Sequence, residues 1–119
     1  MSDYRKLTVW LKAKDLAVAV YKVVRSPGMA REHSLGDQML RAGVSIASNI
    51  AEGYAREKPQ DRSHFLNIAR GSCAELETQL LIAEEVGLLA AVDATNLRNA
   101  SDEISRMLFA LRERIRSEL

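Results

Sequence analysis

A single cysteine, Cys73, among 119 residues excludes an internal disulfide framework and any cysteine-rich metal site. Two prolines and six glycines are too few for the many turns of a β-sandwich and suit long, uninterrupted helices. No stretch approaches the ~18 consecutive apolar residues of a membrane span. The opening MSDYRKLTVWLKAKDL carries charges every few residues and lacks the apolar centre of a signal peptide. An excess of one charge is missing as well. Seventeen Lys and Arg stand against sixteen Asp and Glu, a net +1, so the chain is not basic along its whole length. These absences lead us to expect a soluble protein of a reducing cytoplasm, with no membrane contact.

What is present is ordinary for a folded domain: 47% hydrophobic and 28% charged residues, in a length that suits one domain. Apolar residues recur at steps of three and four in four segments, and none reads convincingly as a strand. The spacing predicts helices over about 8–25, 35–56, 60–86 and 94–117. The first carries Val9, Ala13, Leu16, Ala17, Val20 and Val24 as its stripe, with Thr8 as N-cap and Ser26-Pro27-Gly28 as its stop. Ser34 and Asp37 form a variant capping box for the second, which continues through Met39, Ala42, Gly43, Ile46, Ile50 and Gly53. The third runs from near Pro59 with Phe65, Ile68, Ser72, Leu76, Leu80 and Ala83 on one face, and Gly87 caps its end. Asp93 opens the fourth, whose stripe is Leu97, Ala100, Ile104, Leu108, Leu111 and Ile115. Short connections between long helices favour antiparallel neighbours, so the expected fold is all-α, a single-domain antiparallel up-down four-helix bundle.

The near-neutral total conceals an uneven distribution. Residues 1–33 hold seven basic and three acidic residues, and residues 59–90 hold two basic and five acidic. The first helix is therefore the basic element and the third the acidic one. Candidate phosphate contacts are Arg5, Lys6, Lys12, Lys14, Lys22 and Arg25, together with Arg112, Arg114 and Arg116 near the C-terminus. Plain solvation of these charges, or complementary packing of neighbouring helices, is the competing reading.

The second helix is unusual in carrying a polar line beside its apolar stripe: Gln38, Arg41, Ser45, Ser48, Asn49, Glu52 and Arg56. The third answers with Ser72, Glu75 and Gln79 on or beside the face of Leu76. Buried polar groups are costly unless their hydrogen bonds are met, so these side chains should satisfy one another across the helix pair, with Arg41 or Arg56 against Glu52 or Glu75. Three readings fit: a register-fixing polar network, an oligomer interface, or a small-molecule pocket. Gly43, Gly53 and Gly71 each weaken a helix interior, which close helix contact would explain.

The stretch QMLRAGVSIASNIAEGYARE, Gln38 to Glu57, followed by FLNIARGSCAELETQLLIAEEVGLL, Phe65 to Leu89, resembles the four-helix bundle proteins encoded in 23S rRNA intervening sequences. The opening LTVWLKAKDLAVAVYKV is similar to that family's start, and the resemblance fades in the fourth helix. Where the family usually has Pro after the Ser-Ile pair this chain has Ala47, and where it often has Gly after Glu-Gly-Tyr it has Ala55; both favour a more regular second helix. The resemblance implies a non-enzymatic bundle without cofactor, and a closed homo-oligomer, pentameric among related bundles that include the accessory proteins of diversity-generating retroelements. It also implies RNA or other nucleic acid as a partner, held through a basic surface with little sequence specificity. An oligomeric scaffold acting through protein contacts is the alternative, supported by Leu81, Ile82, Leu88 and Leu89, which lie off the main stripe of the third helix and need cover.

Chemistry has few handles. His33 falls in a loop and His64 near the start of the third helix, where Asp61-x-x-His64 is one weak copy of a pairing that di-metal bundles repeat on two helices. Cys73 has no histidine close to it in the chain and reads as a small buried hydrophobe. No metal, cofactor or small-molecule substrate is expected.

Overall fold

The computed structural model describes residues 3–118. Among them a short 3-10 turn, Tyr4–Lys6, precedes four helices: α1 Thr8–Val24, α2 His33–Tyr54, α3 Pro59–Glu85 and α4 Ala91–Ser117. α1 packs against α2 and α4, α3 packs against the same two, and α1 and α3 do not meet, so the four axes occupy the corners of a square. Gly36 faces Val24 while Gly43 faces Val20, and Ser45 meets Ser72 while Gly53 faces Phe65. Ser101 reaches the Cys73 carbonyl while Arg112 reaches that of Ser63. In each pair the residue number rises on one helix as it falls on the other, which makes the neighbours antiparallel. The bundle measures 47 × 20 × 20 Å, set by two helices of 27 residues at ~1.5 Å per residue.

Termination follows local chemistry. The Ser26 hydroxyl donates to the Val23 carbonyl at 2.6 Å, and Pro27 cannot continue the helix. At the end of α3, Gly87 takes φ +81°, its N–H donates to the Glu84 carbonyl, and the N–H of Leu88 donates to that of Ala83. These are the paired bonds of a Schellman cap, and Gly supplies the left-handed backbone they require.

Helix starts differ from expectation. α2 begins at His33, which is therefore helical and not in a loop. Its N-cap is Glu32, and the Ser34–Asp37 capping box does not form, because the Glu32 carbonyl at the end of the preceding turn already accepts from the Gly36 N–H and starts the helix before Ser34. Thr8 is the first residue of α1, with Leu7 at the cap position after the 3-10 turn. Asp93 lies in the first turn of α4, where its charge favours the helix N-terminus, and does not open it.

The core is one cluster. It contains Val9, Ala13, Leu16 and Val20 from α1, and Met39, Ala42, Ile46 and Ile50 from α2. α3 adds Leu66, Ala69, Cys73, Leu76, Leu80 and Ala83; α4 adds Ala94, Leu97, Ile104 and Leu108. The centre of the α3 stripe is displaced from the expected one. Phe65 is only half-buried and Ile68 is exposed, since α3 must cover two neighbours and its buried arc centres on Leu66, Cys73 and Leu80. Leu88 and Leu89 need no outside cover, for the turn after Gly87 folds both onto the core.

Gly43, Gly53 and Gly71 in the helix interiors have different causes. A Cβ on Gly53 would lie 3.0 Å from that of Phe65 and 3.3 Å from the Arg62 carbonyl, so helix contact requires it. Gly43 would meet Val20 at an ordinary 3.6 Å, and Gly71 would meet nothing within 4 Å. Close packing does not explain Gly71.

Candidate functional site

The polar line of α2 divides by depth. Gln38, Arg41, Ser48, Glu52 and Arg56 are exposed, as is Glu75 on α3. Ser45 and Asn49 are half-buried, and Ser72 and Gln79 are buried. The Ser45 and Ser72 hydroxyls lie 2.8 Å apart across the helix pair. Asn49 Nδ2 donates to the Ser45 hydroxyl and carbonyl, each at 2.9 Å, and the Ser72 hydroxyl donates to the Ile68 carbonyl at 3.3 Å. One proton per hydroxyl orders these into a chain: Asn49 to Ser45, Ser45 to Ser72, Ser72 to Ile68. Arg56 pairs with Glu52 at 2.7 Å along the exposed surface of α2. Among the described residues Arg41 and Glu75 form no ion pair, although both border a groove of 450 Å³ with Gln38, Ala42, Ser45 and Gln79. The mutual satisfaction expected across the helix pair is thus confined to Ser45 and Ser72.

A second polar contact in the interior was not legible in the apolar stripes. Ser101 of α4 is fully buried and donates to Glu77 Oε2 at 2.8 Å, with the Cys73 carbonyl 3.3 Å away. Ser101 fills a core position of its helix, and only the packing of α3 against α4 brings Glu77 to it. Burial pushes the Cys73 thiol up to about 11, opposed by Ser101. Such a thiol is protonated near neutrality and is a packing group, not a nucleophile.

The nine candidate cations do not share one surface. Lys12 leans toward α4 and pairs with Glu103 at 3.1 Å, and Lys14 pairs with Asp15 at 2.7 Å on the side of α1 that faces α2. Lys22 and Arg25 lie at the far end of α1, ~25 Å from its start and well beyond the ~10 Å over which exposed charges act. Arg25 rests on the Tyr21 ring, 4.7 Å from its centre.

Arg5, Lys6, Arg112, Arg114 and Arg116, by contrast, meet at one end of the bundle. There the antiparallel topology gathers the start of α1, the end of α2, the start of α3 and the end of α4. That end also holds Arg56, Lys58 and Arg62, of which only Arg56 figured in the sequence reading, and there as part of the polar line.

Aromatic rings underlie these arginines. Arg56 stands 4.8 Å from the centre of the Phe65 ring and Arg62 stands 5.9 Å from that of Tyr54. Burial raises the Tyr54 hydroxyl above its ordinary range, against the opposing pull of Arg62 and Arg114. Arg62 Nε donates to the Arg56 carbonyl at 2.8 Å and Arg112 Nε to that of Ser63 at 3.3 Å. Arg5 and Arg116 are engaged with Asp3 and Glu113 at 3.0 and 3.2 Å. Among the described residues Lys6, Lys58, Arg62, Arg112 and Arg114 have no carboxylate within 4 Å.

Asp61 and His64 gather no further ligand: among the described residues no group of three His, Cys, Asp or Glu side chains converges. Among the described residues no helix is long and apolar enough to cross a membrane.

Comparison with known proteins places these features. The family model of 23S rRNA-intervening sequence proteins matches residues 5–110. No curated protein matches. Among solved structures, a protein of unknown function of the S23 ribosomal protein family from Bacteroides thetaiotaomicron VPI-5482 superposes with a TM-score of 0.82 at 27% identity, over 88% of this chain and 98% of that one.

Proposed function

Since the chain belongs to the 23S rRNA-intervening sequence protein family, we propose that it is a non-catalytic homo-oligomer that holds RNA, or another nucleic acid, at its arginine-rich end. The observation that carries this reading is the gathering of Lys6, Lys58, Arg62, Arg112 and Arg114, cations without a carboxylate partner among the described residues, at the end of the bundle where Arg62 lies over the Tyr54 ring and Arg56 over that of Phe65. Free cations attract phosphates, and guanidinium planes backed by half-buried rings accept unstacked bases whatever their identity. No base-reading module accompanies them, so the binding has little sequence preference. One copy offers few contacts; an oligomer repeats them and raises avidity. The non-catalytic part draws support from Cys73, the chain's one cysteine, which is buried in the core as a packing group.

Fluorescence anisotropy of a labelled single-stranded RNA across a salt series tests this reading. Binding should weaken steeply, with a log–log slope of about −0.7 for each phosphate contacted. Failure to bind at low salt overturns it. The alternative, a scaffold acting through protein contacts alone, draws support from the exposed apolar side chains Val18, Tyr21 and Val44 along the α1–α2 face.

A further inference from the structure

Val18, Tyr21 and Val44 belong to a groove of 360 Å³ that runs between α1 and α2 and is also lined by Ala17, Leu40 and Ala47. Val18 is 48% exposed and Val44 47%. Facing apolar positions on two helices normally close on each other, and here both walls stay open to solvent. Toward the α1–α2 turn Lys22 and Arg25 are exposed on α1 against one exposed carboxylate of α2, Asp37, which leaves that rim net positive. A twofold pairing of this face with itself, grooves side by side in the same direction, would bring those cations of two copies together, which like-charge repulsion opposes. The face calls for an apolar partner of the opposite charge.

The same chain carries one. Near the end of α3, Ile82 is 46% exposed and Val86 61%. They are four residues apart and so project from one side of the helix, in the arrangement with which a helix enters a groove. Glu85 stands between them, on the element that carries the chain's acidic surplus. α3 lies diagonally across the bundle from α1, so no copy can place this edge in its own groove.

We propose that the α1–α2 groove of one copy receives the Ile82–Val86 edge of α3 from a second copy, with Glu85 facing Lys22 and Arg25. The proposal rests on the homo-oligomeric part of the function proposed above and names the surfaces that meet. Groove and edge are different patches, so the contact is head-to-tail: each copy gives one edge and receives one, and assembly closes into a ring when the rotation permits.

Two variants and their mixture test it. Val44→Glu puts a charge into the groove, and Ile82→Lys blunts the edge. Both positions are exposed, so circular dichroism and thermal midpoint should match the parent. Light scattering should give an oligomer for the parent and a monomer for each variant. An equimolar mixture should give a 1:1 heterodimer, because the intact edge of Val44→Glu fits the intact groove of Ile82→Lys. Val18→Glu, on the other wall of the groove, repeats the test should Val44→Glu fail to fold. A monomeric parent at micromolar concentration overturns the homo-oligomer reading and this contact with it. A parent oligomer with either variant still assembled, or a mixture that stays monomeric, overturns the contact alone.

Discussion

The hydroxyls of Ser45 and Ser72, 2.8 Å apart, join α2 to α3 and stand in the middle of a directed chain that starts at Asn49 and ends on the Ile68 carbonyl. Removing Ser45 cuts this chain on both sides and leaves the Asn49 amide without its hydroxyl acceptor. Ser45→Ala is expected to lose about 1–3 kcal/mol, and Ser72→Ala about 1 kcal/mol because Ser45 keeps its bond from Asn49. The double variant should lose less than the two losses added, since both remove the same bond. Urea unfolding followed by circular dichroism measures all three.

Glycine substitutions on neighbouring helices should have opposite signs. Gly53→Ala drives a methyl to 3.0 Å from the Phe65 Cβ and 3.3 Å from a backbone carbonyl, so it is expected to destabilise the α2–α3 contact. Gly71→Ala enters open space on a helix and should stabilise by about 0.5–1 kcal/mol. Thermal midpoints of the two variants, one below and one above the parent, would bear this out.

Cys73 offers a chemical probe of the fold. With its thiol raised to about 11 by burial, it should resist thiol reagents at pH 8 and react only as fast as the bundle opens. The folded value lies above the ordinary value of 9.0, so between about 9 and about 11 the unfolded chain sheds a proton that the folded chain keeps. Stability from this group is therefore full below pH 9 and falls as the pH rises through that window. Denaturant midpoints of the parent and Cys73→Ala, compared across that range, should converge as the pH rises.

Nucleic-acid affinity should respond differently to the cations of the arginine-rich end and to a paired cation on the side of α1 that faces α4. Arg62→Ala removes the cation over Tyr54 and Arg114→Ala one from the end of α4 beside it in the same cluster, neither with a carboxylate partner among the described residues. Each is expected to lower RNA affinity for every sequence alike and to reduce the salt slope by about one contact. Lys12→Ala, whose ammonium already answers Glu103 at 3.1 Å, should change the slope little. Anisotropy titrations at several salt concentrations distinguish the three.

Much of this molecule is legible in its sequence because helical periodicity is a local property. Val9, Ala13, Leu16 and Val20, or Leu97, Ile104 and Leu108, identify the buried side of their helix at spacings of three, four and seven, and each of them is buried in the bundle. Gly87 announces its cap for the same reason, since the left-handed backbone there concerns one residue and its immediate neighbours. Helix starts are less legible. Ser34 has the residue type of a cap, yet the preceding turn decides where the first helical bond forms. The centre of the α3 stripe also slips, because covering two neighbours widens a buried arc that a single-helix pattern cannot apportion.

By itself, then, the sequence determined four amphipathic helices, their connections, most of the core and the polar character of α2. Tertiary structure alone decided which polar groups meet. Ser101 and Glu77 are 24 residues apart, and Arg112 and Ser63 are 49 apart. No periodicity links such positions; antiparallel packing does. α1 parts Arg25 from Arg5 by its whole length, while the packing of α4 on α3 brings Arg112 to Ser63, next to Arg62. Charge acts over about 10 Å in space, not along the chain, so where the basic surface lies is a property of the bundle.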